Sequence, residues 1–153
     1  MSPDLAKAMR DLTFRMRLIK ASQEVQVGRI SLNEREMLIV ELLAQKGPMA
    51  VSQLSLAEPG ASGSTISSTI TRLWRNKLVT KTISPENQRT TIIDLTDKGR
   101  KTIEGFNKQR EERLQTFCEA ISTTNGEEEI MLNIFNRAIK FLDERLGIRN
   151  DNK

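Results

Sequence analysis

A change of period inside residues 60–101 narrows the fold more than any other feature of the chain. Apolar side chains first recur at Ile66, Ile70 and Leu73, a spacing that lines one face of a helix. The outer face carries Ser64, Thr65, Ser67, Ser68, Thr71, Arg72 and Arg75, with no acid among them. From residue 79 the pattern turns to β-branched residues, over 79–83 and again over 90–95, separated by the turn formers Ser84 to Arg89. Val79, Ile83, Ile93 and Leu95 are expected to point inward and Asp94 outward. A helix with a small, polar outer face, followed by a hairpin with an arginine at its tip, predicts a winged helix-turn-helix.

Charge follows the same stretch. Residues 60–101 hold eight basic and three acidic side chains, net +5, whereas the whole chain is +4. The rest of the molecule is therefore slightly acidic, and the positive field is local. Polyanion binding needs such a field, because affinity for nucleic acid comes largely from neutralising phosphates and releasing their counterions. On that reading the recognition-helix face (Ser64, Thr65, Ser67, Ser68, Thr71, Arg72, Arg75) and the wing (Lys81, Asn87, Gln88, Arg89, Thr90) are the candidate contacts to double-stranded DNA. Arg72 suits base reading, Arg89 suits insertion into a minor groove, and Arg75 and Lys81 suit phosphates.

The flanks read as helices. Residues 1–27 open with Ser2 as cap and Pro3 at the first helical position, and Gly28 ends the pattern. Their apolar stripe is Leu5, Ala8, Met9, Leu12, Met16 and Ile19. Ser31 and Glu34 form an S-x-x-E capping box for a second helix with Leu38, Ile39, Leu42 and Leu43 inward, stopped by Gly47 and Pro48. A short helix follows at about 51–58, then a turn containing Pro59. Thr96 caps a long helix to about residue 122, with Ile103, Phe106, Leu114, Phe117 and Ile121 as one stripe. Gly99 in its first turn implies close approach of another backbone. Asn125 is expected to cap a last helix whose apolar face, widened by Met131, Phe135 and Ile139, exceeds what one neighbour covers. Leu5, Met9, Leu12, Phe135, Ile139, Leu142 and Leu146 are thus the candidate homodimer interface. Residues 149–153 read as frayed.

The order of elements resembles the MarR family of bacterial transcription regulators over nearly the whole chain. The likeness is carried by Val51, Ser52, Gln53 and Leu54, by residues 64–73, by Asn87-Gln88-Arg89 in the wing, and by Leu95-Thr96 with Gly99 behind it. Two positions depart from the family pattern. Asn87 replaces the usual wing aspartate, and Lys77 replaces the usual glycine after the recognition helix. A relaxed turn would make Lys77 inexpensive. The resemblance implies a mainly α fold with a small β-wing, a single domain over 1–153. Residues 31–101 would form the winged helix-turn-helix core, and 1–28 with 103–148 the dimerisation helices. It implies a homodimer on a pseudo-palindromic operator, a repressor more often than an activator. A small aromatic or lipophilic effector releases DNA in many members.

Other functions are disfavoured by composition. The chain has no histidine and a single cysteine, which removes the commonest general base, multi-cysteine metal sites and an internal disulfide. With no glycine-rich phosphate loop either, no enzyme activity, metal or cofactor is expected. Cys118 and Trp74 both lie beside apolar stripe residues and read as packing residues. No apolar run approaches a membrane span and no secretory signal is visible, so no membrane partner and a cytoplasmic location are expected. Two alternatives stay open: an architectural protein that binds duplex without sequence preference, and a winged helix that docks protein.

Overall fold

Ser2 Oγ accepts the Asp4 amide at 3.1 Å and starts the first helix, α1 (Pro3–Ser22). The computed structural model describes residues 2–22, 26–27, 29–58, 60–121 and 124–146. It falls into two compact units, residues 1–108 and 109–153. Within the first, α1 is shorter than its periodicity suggested. Val27 belongs to a strand, β1 (Gln26–Val27), paired antiparallel with β2 (Ile30–Ser31). Gly28 lies outside the described residues. The α1 stripe is exposed from Leu5 to Ile19 and contributes nothing to the buried core.

The next helix, α2 (Glu34–Lys46), is capped two residues later than expected. Ser31 is taken up by pairing with Gln26, so the box is built by Asn33 and Glu36 instead. Asn33 Oδ1 accepts the Glu36 amide and Glu36 Oε2 accepts the Asn33 amide, both at 2.9 Å. Such a cap contributes about 1 kcal/mol. The inward face turns with it: Met37, Ile39, Val40 and Leu43 are buried, and Leu38 and Leu42 sit at the margin. Gly47, at φ 78, turns the chain into β3 (Met49–Ala50). Two residues are too few to show a period, and this strand was not anticipated. Then come α3 (Val51–Ala57), with Leu54 buried, and α4 (Gly63–Arg75), capped by Ser62 Oγ on the Thr65 amide. Pro59 between them lies outside the described residues.

Strands β4 (Val79–Ile83) and β5 (Thr91–Leu95) pair antiparallel with Val79 opposite Leu95. β3 adds to the other edge of β5, giving the order β3-β5-β4. Val79, Ile93 and Leu95 are buried as expected, but Ile83 is not; it is 67% exposed. The hairpin runs out past the core at that point, so no core lies beneath the inward side of its tip. The first unit closes around Leu43, Leu54, Ile66, Leu73, Ile93 and Phe106, all within a single buried cluster. Each such side chain contributes about 1.5–3 kcal/mol by leaving water.

Thr96 caps the long helix α5 (Asp97–Ile121), its Oγ1 accepting the Gly99 amide at 3.0 Å. The same hydroxyl donates to the Lys77 carbonyl, and the Thr96 amide donates to the Leu78 carbonyl at 3.0 Å. Lys77 itself stands at φ 61, so the turn is strained rather than relaxed. A non-glycine residue in that region costs about 1 kcal/mol. Ile103 and Phe106 of α5 are buried, whereas Leu114, Phe117 and Ile121, expected on the same stripe, are exposed.

The second unit holds the later turns of α5 and the last helix, α6 (Asn125–Leu146). At the start of α6 Thr124 Oγ1 accepts the Glu127 amide and Glu127 Oε2 accepts the Thr124 amide; the side chain of Asn125, the expected cap, lies outside those described. Ile130, Ile134, Phe135, Ile139, Phe141, Leu142 and Leu146 are exposed along α6, and Cys118 on α5 is exposed rather than packed. Among the described residues no helix is long and apolar enough to cross a membrane.

The close approach anticipated at Gly99 is present. A Cβ there would stand 2.1 Å from the Leu78 carbonyl oxygen. Gly99→Ala is therefore expected to lower unfolding stability by about 3 kcal/mol, the upper end of ordinary overpacking. Denaturant melts would check this, and a loss below half a unit on the same scale, roughly 0.5 kcal/mol, would show that the two backbones separate freely.

Candidate nucleic-acid interface

Helix α4 buries Ile66, Thr69, Ile70 and Leu73 and turns its polar residues outward. Ser64, Ser67, Ser68, Arg72 and Arg75 are exposed, and Thr65 and Thr71 are half-buried. Several hydroxyls are already committed to the helix. Ser68 Oγ donates to the Thr65 carbonyl at 2.9 Å, and Thr71 Oγ1 to the Ser67 carbonyl at 2.9 Å. With their protons so placed, Ser68 and Thr71 face outward as acceptors. Ser62, Ser64 and Thr65 form a hydroxyl cluster at the start of the helix, with Oγ–Oγ and Oγ–Oγ1 distances of 2.9 and 2.7 Å from Ser62.

The wing is held to this face by Lys81. Its Nζ donates to Thr71 Oγ1 at 3.2 Å and lies 5.3 Å from the centre of the Trp74 ring. Trp74 is therefore a half-exposed platform for a cation and not the packing residue its neighbour Leu73 suggested. At the tip, Asn87 Oδ1 accepts the Arg89 amide at 3.0 Å. The neutral amide at this position still anchors the arginine, through the backbone. The Thr90 amide donates to the Asn87 carbonyl at 2.9 Å and closes the turn, and Asn87, Gln88 and Arg89 are exposed.

Between helix and wing lies an open cleft lined by Ser67, Thr71, Lys81, Arg89 and Thr90, with Ser52 from α3 on its rim. Among the described residues no carboxylate lines it. Two cations, several hydroxyls and no acid suit a polyanion. Five of the sequence-chosen residues are thus brought to one cleft. Arg75 and Gln88 are exposed elsewhere on the same elements, and Ser52 enters from a helix whose own sequence gave no sign of it. Arg72 behaves differently: its Nε lies 3.1 Å from Glu36 Oε1 on α2. Among the described residues no cluster of His, Cys, Asp or Glu is placed to hold a metal ion.

The MarR family model matches residues 32–91, from the residue before the α2 cap to the first residue of β5. Those residues belong to the MarR family. The match spans α2, α3, α4, β4 and the wing tip, the elements that build the cleft. Solved structures extend the MarR fold to nearly the whole chain. RV1404 from Mycobacterium tuberculosis is similar over 99% of both chains, at a TM-score of 0.74 and 19% identity. A MarR family protein from Bacillus stearothermophilus is similar over 94% of both, at 0.71 and 22%. BpsR of Bordetella bronchiseptica, whose DNA binding is regulated by 6-hydroxynicotinic acid, is similar over 88% of this chain and 98% of its own, at 0.61 and 15%. At such identities the likeness is one of fold. No curated protein matches the sequence. The fold is mainly helical with a small three-stranded antiparallel sheet, as in MarR winged-helix transcriptional regulators.

Asn87→Ala is expected to speed hydrogen exchange at the Arg89 amide while lowering global stability by no more than about 1 kcal/mol, since the lost bond is exposed. Unchanged exchange at Arg89 would mean that the turn holds without the Asn87 side chain.

Proposed function

We propose that this chain is a sequence-specific regulator of transcription that binds double-stranded DNA as a homodimer. The observation that carries the reading is the acid-free cleft between α4 and the wing, with Lys81 and Arg89 on its wall. In the proposed complex α4 lies in a major groove, with Ser64, Thr65, Ser67, Ser68, Thr71 and Arg72 toward the bases and Arg75 and Lys81 toward phosphates. Arg89, with Asn87, Gln88 and Thr90 behind it, enters the adjacent minor groove. Two copies related by a two-fold axis would read a pseudo-palindrome whose half-site centres lie about 10 bp apart. Repression is the simplest outcome of occupying such a site. The cytoplasm is the proposed location.

Support for the dimer comes from apolar side chains left uncovered. Leu5, Met9 and Leu12 on α1, and Phe135, Ile139, Leu142 and Leu146 on α6, are each about half exposed or more. Patches of that kind mark association surfaces. A small aromatic or lipophilic effector is part of the proposal, on the precedent of BpsR, whose DNA binding responds to 6-hydroxynicotinic acid.

Selection from a random duplex pool, followed by affinity measurement across salt, tests the DNA reading. The expected winner is palindromic and is bound about a thousandfold or more above random duplex, with affinity falling steeply as salt rises. Sequence-blind binding would favour an architectural role, and absence of binding would overturn the proposal. Leu142→Asp is expected to convert the dimer to monomer in sedimentation without unfolding α6, because the side chain is exposed in the single chain. A stable dimer of that variant would remove α6 from the interface.

A further inference from the structure

Among the described residues Glu36 is the one carboxylate in the buried core, 1% exposed. Such burial is costly unless charge and hydrogen bonds compensate. Half of the compensation is local: Oε2 accepts the Asn33 amide and completes the α2 cap. The other oxygen is aimed at the recognition helix. Oε1 lies 3.1 Å from Arg72 Nε, although it accepts no hydrogen bond at that angle, so the contact is one of charge. The geometry divides the guanidinium. Its Nε is the atom nearest the carboxylate, while the side chain as a whole is 61% exposed and its terminal amino groups have no partner among the described residues.

We infer that Glu36 is a positioning residue for DNA recognition: its charge, 3.1 Å from Nε, holds the Arg72 guanidinium in place while the two terminal amino groups stay free to serve as a donor pair. This rests on the DNA-binding reading above and extends it to a residue that cannot touch DNA. The chemistry that fits two parallel outward donors is a pair of adjacent acceptors, such as O6 and N7 of guanine in the major groove. An unrestrained arginine on an exposed helix face would spend rotamer freedom on every such contact; one already held by a buried charge spends less. A lysine at position 72 would carry the same charge but presents no planar donor pair.

The test is a double-mutant cycle on the operator selected by the wild type. Glu36→Gln keeps a side chain that serves in capping boxes, so the variant is expected to fold. It should bind the operator about tenfold more weakly and lose preference at one base pair in each half-site, the discrimination carried by one bidentate contact. In an Arg72→Ala background the same change should have no further effect on affinity. Arg72→Lys should lose the same base preference while retaining the salt dependence. Additive losses in the double variant, or unchanged affinity in Glu36→Gln alone, would overturn the inference. A DNA-independent arm separates this from failure of the functional reading. The Arg72 Nε–H resonance of the free protein should lie at clearly different chemical shifts in the wild type and in Glu36→Gln, because the variant removes the carboxylate charge 3.1 Å from Nε. Equal shifts in both overturn the pairing itself. A shift difference in a protein that selects no DNA would overturn the function and the role assigned to Glu36, leaving only a structural ion pair.

Discussion

The backbone crossing at Leu78 and Gly99 sets the geometry of the first unit. No side chain fits between the Leu78 carbonyl and the first turn of α5. Three hydrogen bonds fasten the same junction: Thr96 to the Lys77 carbonyl through its hydroxyl, Thr96 to the Leu78 carbonyl through its amide, and Lys98 Nζ to the Asn76 carbonyl at 3.0 Å. The carbonyls of the turn that follows α4, at Asn76, Lys77 and Leu78, are thereby taken up by the start of α5. The strained φ of Lys77 is the local cost of bringing the chain through this crossing. The direction of α4 and the base of the wing follow from one junction.

A second organising point is the first turn of α2, where three successive charged residues each meet a different element. Glu34 pairs with Lys20 of α1, Arg35 with Glu58 beyond α3, and Glu36 with Arg72 of α4. Their energetic weight differs. The first pair is exposed, and although the Lys20 hydrogen bond and charge hold the Glu34 carboxyl below its ordinary value, water screens most of the gain. The last has one partner in the core, where removing either side leaves a charge or donor uncompensated. Position along one turn of helix separates an exposed surface pair from one with a partner in the core.

Much of this was legible in the chain because period and composition report on one element at a time. Ile66, Ile70 and Leu73 line the inner side of α4, and the β-branched runs form the hairpin; both are local patterns. The misses are of another kind. β3 is two residues long and exists only because β5 offers it an edge. Ser31 looked like a cap until strand pairing claimed it, and Asn33 took the role. Ile83 has the alternation of an inward residue but lies beyond the edge of the core. Glu36 carried no signal at all, since its burial depends on Arg72, a residue 36 positions away on another helix. Where a side chain's environment is assembled from distant segments, its own neighbours in sequence do not describe it.

The Trp74 platform under Lys81 has a practical side. It is the sole tryptophan of the chain and there is no tyrosine, so ultraviolet emission from the protein comes essentially from one ring. That ring sits half in water with a cation 5.3 Å from its centre, beside the acid-free cleft. Any anion that draws the ammonium away changes both the local field and the hydration of the indole. The molecule is built with its own optical indicator at the surface where occupancy matters, and needs no attached dye to show when that surface is filled.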